Sequence, residues 1–327
     1  MTTAHTDLDI RIPTADRTQA LRTDVRAGLS ASPKSLPPKW LYDARGSELF
    51  DQITELDEYY PTRTERLLIT DHAAEIAALT GTATLIELGS GSSDKTRLLI
   101  ESMRAAEPAL AHYVPLDVSP SALQGAVRRL RSQYPGLTVD GIVADFTGSV
   151  APLPGPGPRT VVFLGGTIGN FDPPSRARFL RNVSAALLPG EQLLLGAGVI
   201  TDPATMQRAY DDEAGVTAAF NRNVLRVLNR NLGADFDIDA YQHVALWNPD
   251  DEWIEMRLRA VRAARVQIPG ADLVIDIAEG EEILTEISAK FRPDALAAEL
   301  NDAGLAVRNV WTDPDQRFAI FLSAKRG

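Results

Sequence analysis

The sequence contains no cysteine, which excludes disulfides, thiolate metal sites and cysteine nucleophiles and fits a reducing compartment. Its four histidines, His5, His72, His112 and His243, are scattered without the spacing of metal ligands, so no metal is expected. No run of Lys and Arg exceeds two residues and the formal net charge is −11, which argues against binding that rests on neutralising nucleic-acid phosphates. No apolar run reaches the length of a membrane span, and the N-terminus lacks a basic start followed by an apolar core. A cytoplasmic protein is expected, working as a monomer on small molecules without membrane or nucleic-acid partners. What remains is ordinary: 327 residues, 44% hydrophobic and 24% charged, enough for a substantial core and one or two domains.

Residues 1–17 are polar and expected to be extended. Helices are expected over 18–29 and 47–56, on either side of the proline-bearing SPKSLPPKWLYD. Trp40, Tyr42, Phe50, Tyr59 and Tyr60 gather in this region. Core packing is the ordinary role of such rings, but a tyrosine fixed before Pro61 is held stiffly and can present its hydroxyl. Thr62-Arg63-Thr64-Glu65 has the form of a capping box, and Leu67, Leu68, Ile76 and Leu79 give a helix over 64–79 its apolar face.

From there strands and helices alternate: strand 84–88, helix 94–106, strand 113–117, helix 120–133, strand 141–144, a Pro- and Gly-rich loop, strand 160–164, helix 174–187 and strand 192–197. That order predicts an α/β fold with a parallel, doubly wound sheet, in which ligands bind beyond the carboxyl ends of the strands where strand order reverses. Between about 201 and 290 the alternation lapses. An amphipathic helix over 215–232 is followed by HVALW, WIEMRLRAVRAARVQI and LVIDIAE, which read as an antiparallel meander. A helix over 293–303 and a hairpin made of VRNVWT and FAIFLSA close the sheet.

The stretch TLIELGSGSSDKTR ends a strand at Gly89 and Gly91 and opens a helix, an arrangement that faces backbone N–H groups toward a ligand. A Cβ there would hold a ligand off the main chain. Asp94 stands where the third glycine of a pyrophosphate cradle would be, which disfavours a nicotinamide-dependent dehydrogenase. Asp117 ends the next strand, where a carboxylate can accept from both hydroxyls of a ribose; it would also serve as a helix N-cap. Asp145 and Phe146 end the strand after that, an acceptor for an exocyclic amine beside an aromatic face, or else a turn aspartate beside a core ring. Three such features in register on consecutive strands favour a nucleoside.

These motifs, with the turn Leu188-Pro189-Gly190-Glu191, resemble the class I S-adenosylmethionine-dependent methyltransferases, a Rossmann-like sheet with an antiparallel C-terminal hairpin strand. The segments LIELGSGSSDKTRLL, YVPLDVS, FLGGTIGNF, GVTAAFNRNVLRVLNRNLGADFD, IEMRL and TEISAKF are similar to the histidine-specific Nα-methyltransferases of ergothioneine biosynthesis, from about residue 40 to the end. The resemblance implies a cofactor domain over 65–200 and 291–327, and a substrate domain, α+β, over 18–64 and 201–290. It implies S-adenosylmethionine near Gly89, Gly91 and Lys95 at its methionine part, Asp117 at its ribose, and Asp145 with Phe146 at its adenine. A lysine ammonium can hold a carboxylate, or simply be a solvated helix lysine. For L-histidine it implies Gly165, Thr167, Asn170 and Tyr210 around the amino-acid backbone, with Tyr60 nearby, Met256, Glu286 and Ser288 around the imidazole, and Tyr42 near the amine.

Some of this has a reading of its own. Asn170 can donate to a carboxylate and accept from an amine, or cap the helix that starts after Asp172-Pro173. Along 283–291, Glu286 and Ser288 share one face of a strand and Ile283, Thr285, Ile287 and Ala289 the other. A carboxylate accepting from one ring nitrogen and a hydroxyl on the other would select histidine; Lys290 on the same face leaves a solvated strand face open. Met256 is by default core. A methyltransferase of another amino acid such as tryptophan, and a nucleoside-binding module without catalysis, are the alternatives.

Overall fold

The computed structural model describes the chain except residues 1–7, 12–13, 92, 94, 108, 147 and 149–151, so His5, Asp94 and most of the expected N-terminal extension lie outside the described residues. The chain forms two units. The first takes Pro61–Ile200 and Lys290–Gly327 with the strand Asp9–Ile10, and the second takes Thr201–Ala289 with the chain from the helix Thr14–Leu29 to Tyr60.

The first unit is built on one sheet. Its strands run, edge to edge, Asp9–Ile10, Ile142–Val143, His112–Asp117, Thr84–Leu88, Arg159–Phe163, Gln192–Gly198, Phe318–Lys325 and Leu305–Thr312, with Thr138–Val139 beside His112–Asp117. Pairing is parallel up to Gln192–Gly198; Phe318–Lys325 then runs antiparallel to both its neighbours. Ile86, Val114, Val161, Leu194 and Ile320 are at most 1% exposed, because helices cover both faces and the strands carry near-continuous apolar runs. Each such side chain contributes about 1.5–3 kcal/mol by leaving water. The chain leaves Thr84–Leu88 toward one edge and returns at Arg159–Phe163 on the other side, so strand order reverses between these two and their carboxyl ends frame a crevice.

In the second unit Glu282–Ala289, Trp253–Ala260 and Tyr241–Asn248 form an antiparallel sheet, extended by Lys34–Ser35, which pairs parallel to Glu282–Ala289. This corrects the expected meander. WIEMRLRAVRAARVQI breaks after Ala260, and Ala264–Ile268 pairs with Leu273–Ile277 as a separate hairpin. The helix Val216–Leu232 buries the expected Phe220, Val224, Leu228 and Leu232, and with them Asn221 and Asn223.

Helix limits also shift. The first described helix starts at Thr14, not 18, and the second runs Ala44–Glu55, capped by Asp43, whose carboxylate accepts from Gly46 N at 2.7 Å. The third runs Tyr60–Thr80, which places Glu65 inside it and rules out the capping box read at Thr62-Arg63-Thr64-Glu65. Among the described residues no helix is long and apolar enough to cross a membrane.

Candidate functional site

Thr84–Leu88 delivers the chain into the crevice at Gly89, whose φ of +70° is one that side-chain-bearing residues rarely adopt. A Cβ there would meet the ring of Phe146 at 3.5 Å, so the absence of a side chain leaves the ring and the main chain adjacent. Phe146 is half-buried and stands edge-on to Phe163, with centroids 5.5 Å apart; Asp145 beside it is half-buried too. The next turn is held from the neighbouring strand. Asp117 accepts from Gly91 N at 2.9 Å and from Ser119 N at 2.8 Å. Ser119 is the N-cap of Pro120–Gln133, so Asp117 is not that cap. A carboxylate has about four acceptor positions, and the end of a strand beside the crevice is where a ribose contact is expected.

Ser90, between the two glycines, is buried, and its Oγ has no hydrogen-bond partner among the described residues. A buried hydroxyl left unsatisfied costs free energy unless something fills its bond. With the bare backbone at Gly89, the Phe146 ring and the Asp117 carboxylate, this donor and acceptor set fits a nucleoside with a polar tail.

Beneath the turn, Glu87 is buried and accepts from the hydroxyls of Thr96 and Tyr113; Tyr113 also lies 2.9 Å from Ser93 Oγ. Burial outweighs these bonds and pushes the Glu87 carboxyl up to about 7. Burial, and then the Glu87 charge, push the Tyr113 phenol well above its ordinary range.

Lys95 precedes the helix Thr96–Ala105, is half-buried, and pairs its ammonium with the buried Glu65. Glu65 is fully buried and accepts from Gly165 N at 2.8 and 3.0 Å. One carboxylate thus links the lysine to the turn after Arg159–Phe163. That turn is Gly165-Gly166, at φ +79° and +68°, followed by the 3-10 turn Thr167–Asn170. Thr167 Oγ1 donates to Leu164 O at 3.1 Å. Asn170 is half-buried, and the cap of Pro173–Ala186 is Asp172, which accepts from Ser175 N at 2.8 Å, so Asn170 does not cap that helix. Sequence reading missed Glu65. The available signal was Gly196, in the middle of a strand, where a Cβ would overlap Glu65 Oε1.

In the second unit, Glu286 and Ser288 are 6% and 4% exposed, and Lys290 5%, which excludes a solvated face. Met256 pairs directly across from Glu286 and is 2% exposed. Tyr210 Oη and Ser288 Oγ lie 2.7 Å apart. Burial, reinforced by the Glu286 charge, holds the Tyr210 phenol far above its usual value. Tyr42, half-buried, stands edge-on to Phe50 and Phe220, with centroids 5.5 and 5.3 Å apart. Tyr59 faces the Tyr210 ring at 6.0 Å, and Tyr60 is buried. The structure therefore gathers Gly89, Gly91, Lys95, Asp117, Phe146 and Gly165 around one crevice of the first unit. It joins Tyr210 to Ser288 and Met256 to Glu286 on the sheet of the second.

Residues 21–325 match the family model described as histidine-specific methyltransferase, SAM-dependent. The chain is 54% identical to histidine N-alpha-methyltransferase of Mycolicibacterium smegmatis, over 94% of this chain and 95% of that one. It is 50% identical to the protein of the same name from Mycobacterium tuberculosis, with the same shares of each. It is also 35% identical to ergothioneine biosynthesis protein 1 of Neurospora crassa, over 62% of this chain and 23% of that protein.

Proposed function

Because the chain belongs to the histidine-specific, S-adenosylmethionine-dependent methyltransferase family, we propose that it methylates the α-amino group of L-histidine three times. The product is Nα,Nα,Nα-trimethylhistidine, and the reaction is the first step of ergothioneine biosynthesis. The observation that carries this reading is the 54% identity to a histidine N-alpha-methyltransferase across 94% of the chain.

Bound S-adenosylmethionine supplies an activated methyl group on a sulfonium, so the protein's task is placement and exclusion of water. In our reading the first unit holds it. Asp117 accepts from the ribose hydroxyls, Asp145 and Phe146 take the adenine by its amine and its face, and Gly89 and Gly91 admit it to the main chain. Ser90 Oγ, buried in that turn, supports this assignment. Lys95 offers positive charge to the methionine carboxylate, with Glu65 fixing the direction of its ammonium.

The second unit recognises the imidazole. Glu286 accepts from one ring N–H, Ser288, backed by Tyr210, bonds the other ring nitrogen, and Met256 packs on the ring. Their burial supports this, since in a desolvated strand an unpaired imidazole nitrogen is penalised and an apolar side chain leaves Glu286 unmatched. Gly165, Thr167 and Asn170 serve the amino-acid backbone. The attacking amine must be neutral, and an α-amino pKa of about 8 leaves an uncharged fraction near neutral pH without a dedicated base. Each transfer adds bulk and finally fixes a positive charge. The Tyr42 ring near the amine stabilises that charge by cation–π attraction.

The test is a mass-spectrometric assay of the purified protein with S-adenosylmethionine and each standard amino acid separately. Mono-, di- and trimethylated histidine are expected, with the other amino acids unchanged. Methylation of tryptophan in preference to histidine, or no methylation of any amino acid, refutes the assignment.

A further inference from the structure

The ladder between Trp253–Ala260 and Glu282–Ala289 is irregular at one place. Met256 pairs with Glu286 and Arg257 with Leu284, which leaves Thr285 as an extra residue. Such a bulge bends the strand and re-aims the side chains beside it. Thr285 is buried, at 1% exposure, and its hydroxyl lies 2.5 Å from Asn221 Oδ1 and 2.9 Å from the Met256 carbonyl. Its one proton is therefore shared between a side chain on the helix Val216–Leu232 and the backbone of the residue facing Glu286.

Asn221 is fully buried. Its Nδ2 donates to the Arg257 carbonyl at 3.1 Å and to His243 Nδ1 at 2.9 Å. The Arg257 carbonyl can only accept, so it determines which end of the carboxamide is nitrogen. That makes His243 Nδ1 an acceptor and leaves Nε2–H to donate to the Tyr210 carbonyl at 2.8 Å. Burial also lowers the His243 pKa, in keeping with a neutral ring. Three side chains, none of which the proposed function assigns to the ligand, thereby tie together the backbone at Met256, Arg257 and Tyr210 and the bulge before Glu286. Fully satisfied buried networks of this kind fix one arrangement among several.

We propose that Thr285, held by Asn221 and His243, is a positioning residue for histidine selection, locking the bulge that sets Glu286 opposite Met256. This rests on the reading of Glu286 and Met256 as the imidazole site. The test is steady-state kinetics of the full chain, with S-adenosylmethionine affinity by calorimetry. Thr285→Val, which keeps the shape and removes the hydroxyl, is expected to raise the KM for L-histidine about tenfold and leave kcat and cofactor affinity within about twofold. Thr285→Ser restores the hydroxyl and is expected to restore KM. A role confined to stability would move cofactor affinity and kcat together and would not separate KM from them. If Thr285 acts through Glu286, the Thr285→Val/Glu286→Ala double variant is no worse than Glu286→Ala alone by more than about twofold. Should the valine variant not fold, Thr285→Ala carries the same test. An unchanged KM in Thr285→Val, no rescue by serine, or effects that multiply in the double variant overturn the proposal. An unchanged KM in Glu286→Ala instead overturns the imidazole site on which it stands.

Discussion

Replacing Glu286 by alanine removes the one carboxylate that the second unit aims, in our reading, at the substrate ring. A hydrogen bond to a charged group contributes about 1.5–3 kcal/mol net, so the KM for L-histidine should rise about 10- to 150-fold. Glu286 is 6% exposed, and water cannot readily replace the lost acceptor, which places the expected effect toward the upper end. Glu286→Gln keeps an acceptor of the same length without the charge. Charge-assisted bonds are roughly twice as strong as neutral ones, so glutamine should recover about half of the loss in free energy. Both variants should bind S-adenosylmethionine with unchanged affinity, since Glu286 belongs to the second unit and Asp117, Phe146 and Ser90 to the first. The assay is initial-rate kinetics with histidine varied at saturating cofactor, alongside calorimetric titration of the cofactor. Histidine kinetics equal to those of the parent in Glu286→Ala, with cofactor binding intact, would refute the specificity argument. A parallel loss of histidine and cofactor binding would point to a folding defect, and glutamine would then decide.

Asp117→Ala should weaken S-adenosylmethionine binding by at least about tenfold, because it removes the proposed ribose acceptor and frees Gly91 N and Ser119 N together; equal affinity by calorimetry would mean that the ribose contact is misplaced. Glu87 has its folded pKa raised from 4.5 to about 7 by burial, so the folded state holds the extra proton between those values. Its contribution is complete below about pH 4.5 and is lost as pH rises through about 7, a change of the order of 3 kcal/mol. Glu87→Gln should therefore flatten the fall in stability between those pH values, measured by urea unfolding at pH 5 and pH 8; an identical pH slope in parent and variant would refute the buried titration. Gly196→Ala should cost about 1–3 kcal/mol by overpacking and loosen cofactor binding, because the new methyl overlaps Glu65 Oε1 and displaces the partner of Lys95. An alanine variant with parental stability and affinity would show that the Glu65 seat tolerates the shift.

The sheet was legible because fully buried parallel strands read as unbroken apolar runs, such as Leu85, Ile86 and Leu88 before Gly89, and Thr84–Leu88, His112–Asp117 and Arg159–Phe163 are each followed by a helix before the next strand. The positions of Asp117 and Phe146 were legible for a related reason, since the carboxyl end of a strand is marked in sequence by the switch from apolar to polar residues. Helix starts were less so. Thr62-Arg63-Thr64-Glu65 satisfies the capping-box pattern, but Pro61 suits the first turn of a helix that starts at Tyr60, and burying Glu65 on Lys95 and Gly165 N outweighs the local cap. The meander failed at Ala260 because strand propensity continues through RAVRAARVQI while the pairing partner changes.

The residues proposed to touch ligands and the residues that hold them differ in how far sequence can reveal them. Gly89, Asp117, Asn170 and Glu286 stand at element ends or on a patterned strand, where a polar or flexible residue breaks an apolar expectation. Glu65, Asn221 and Thr285 lie inside regular elements, and their partners are 22 to 100 residues away. Helical periodicity assigns Asn221 no special place, and alternation assigns Thr285 to the face opposite Glu286. The bulge removes that alternation, since Thr285 and Glu286 are both buried in succession. A strict alternation would have put either Glu286 or its supporting hydroxyl in a place where neither could serve the other. In the proposed reading, the extra residue is the geometric means by which adjacent positions on one strand supply both the carboxylate assigned to the ring and the hydroxyl assigned to hold it in line.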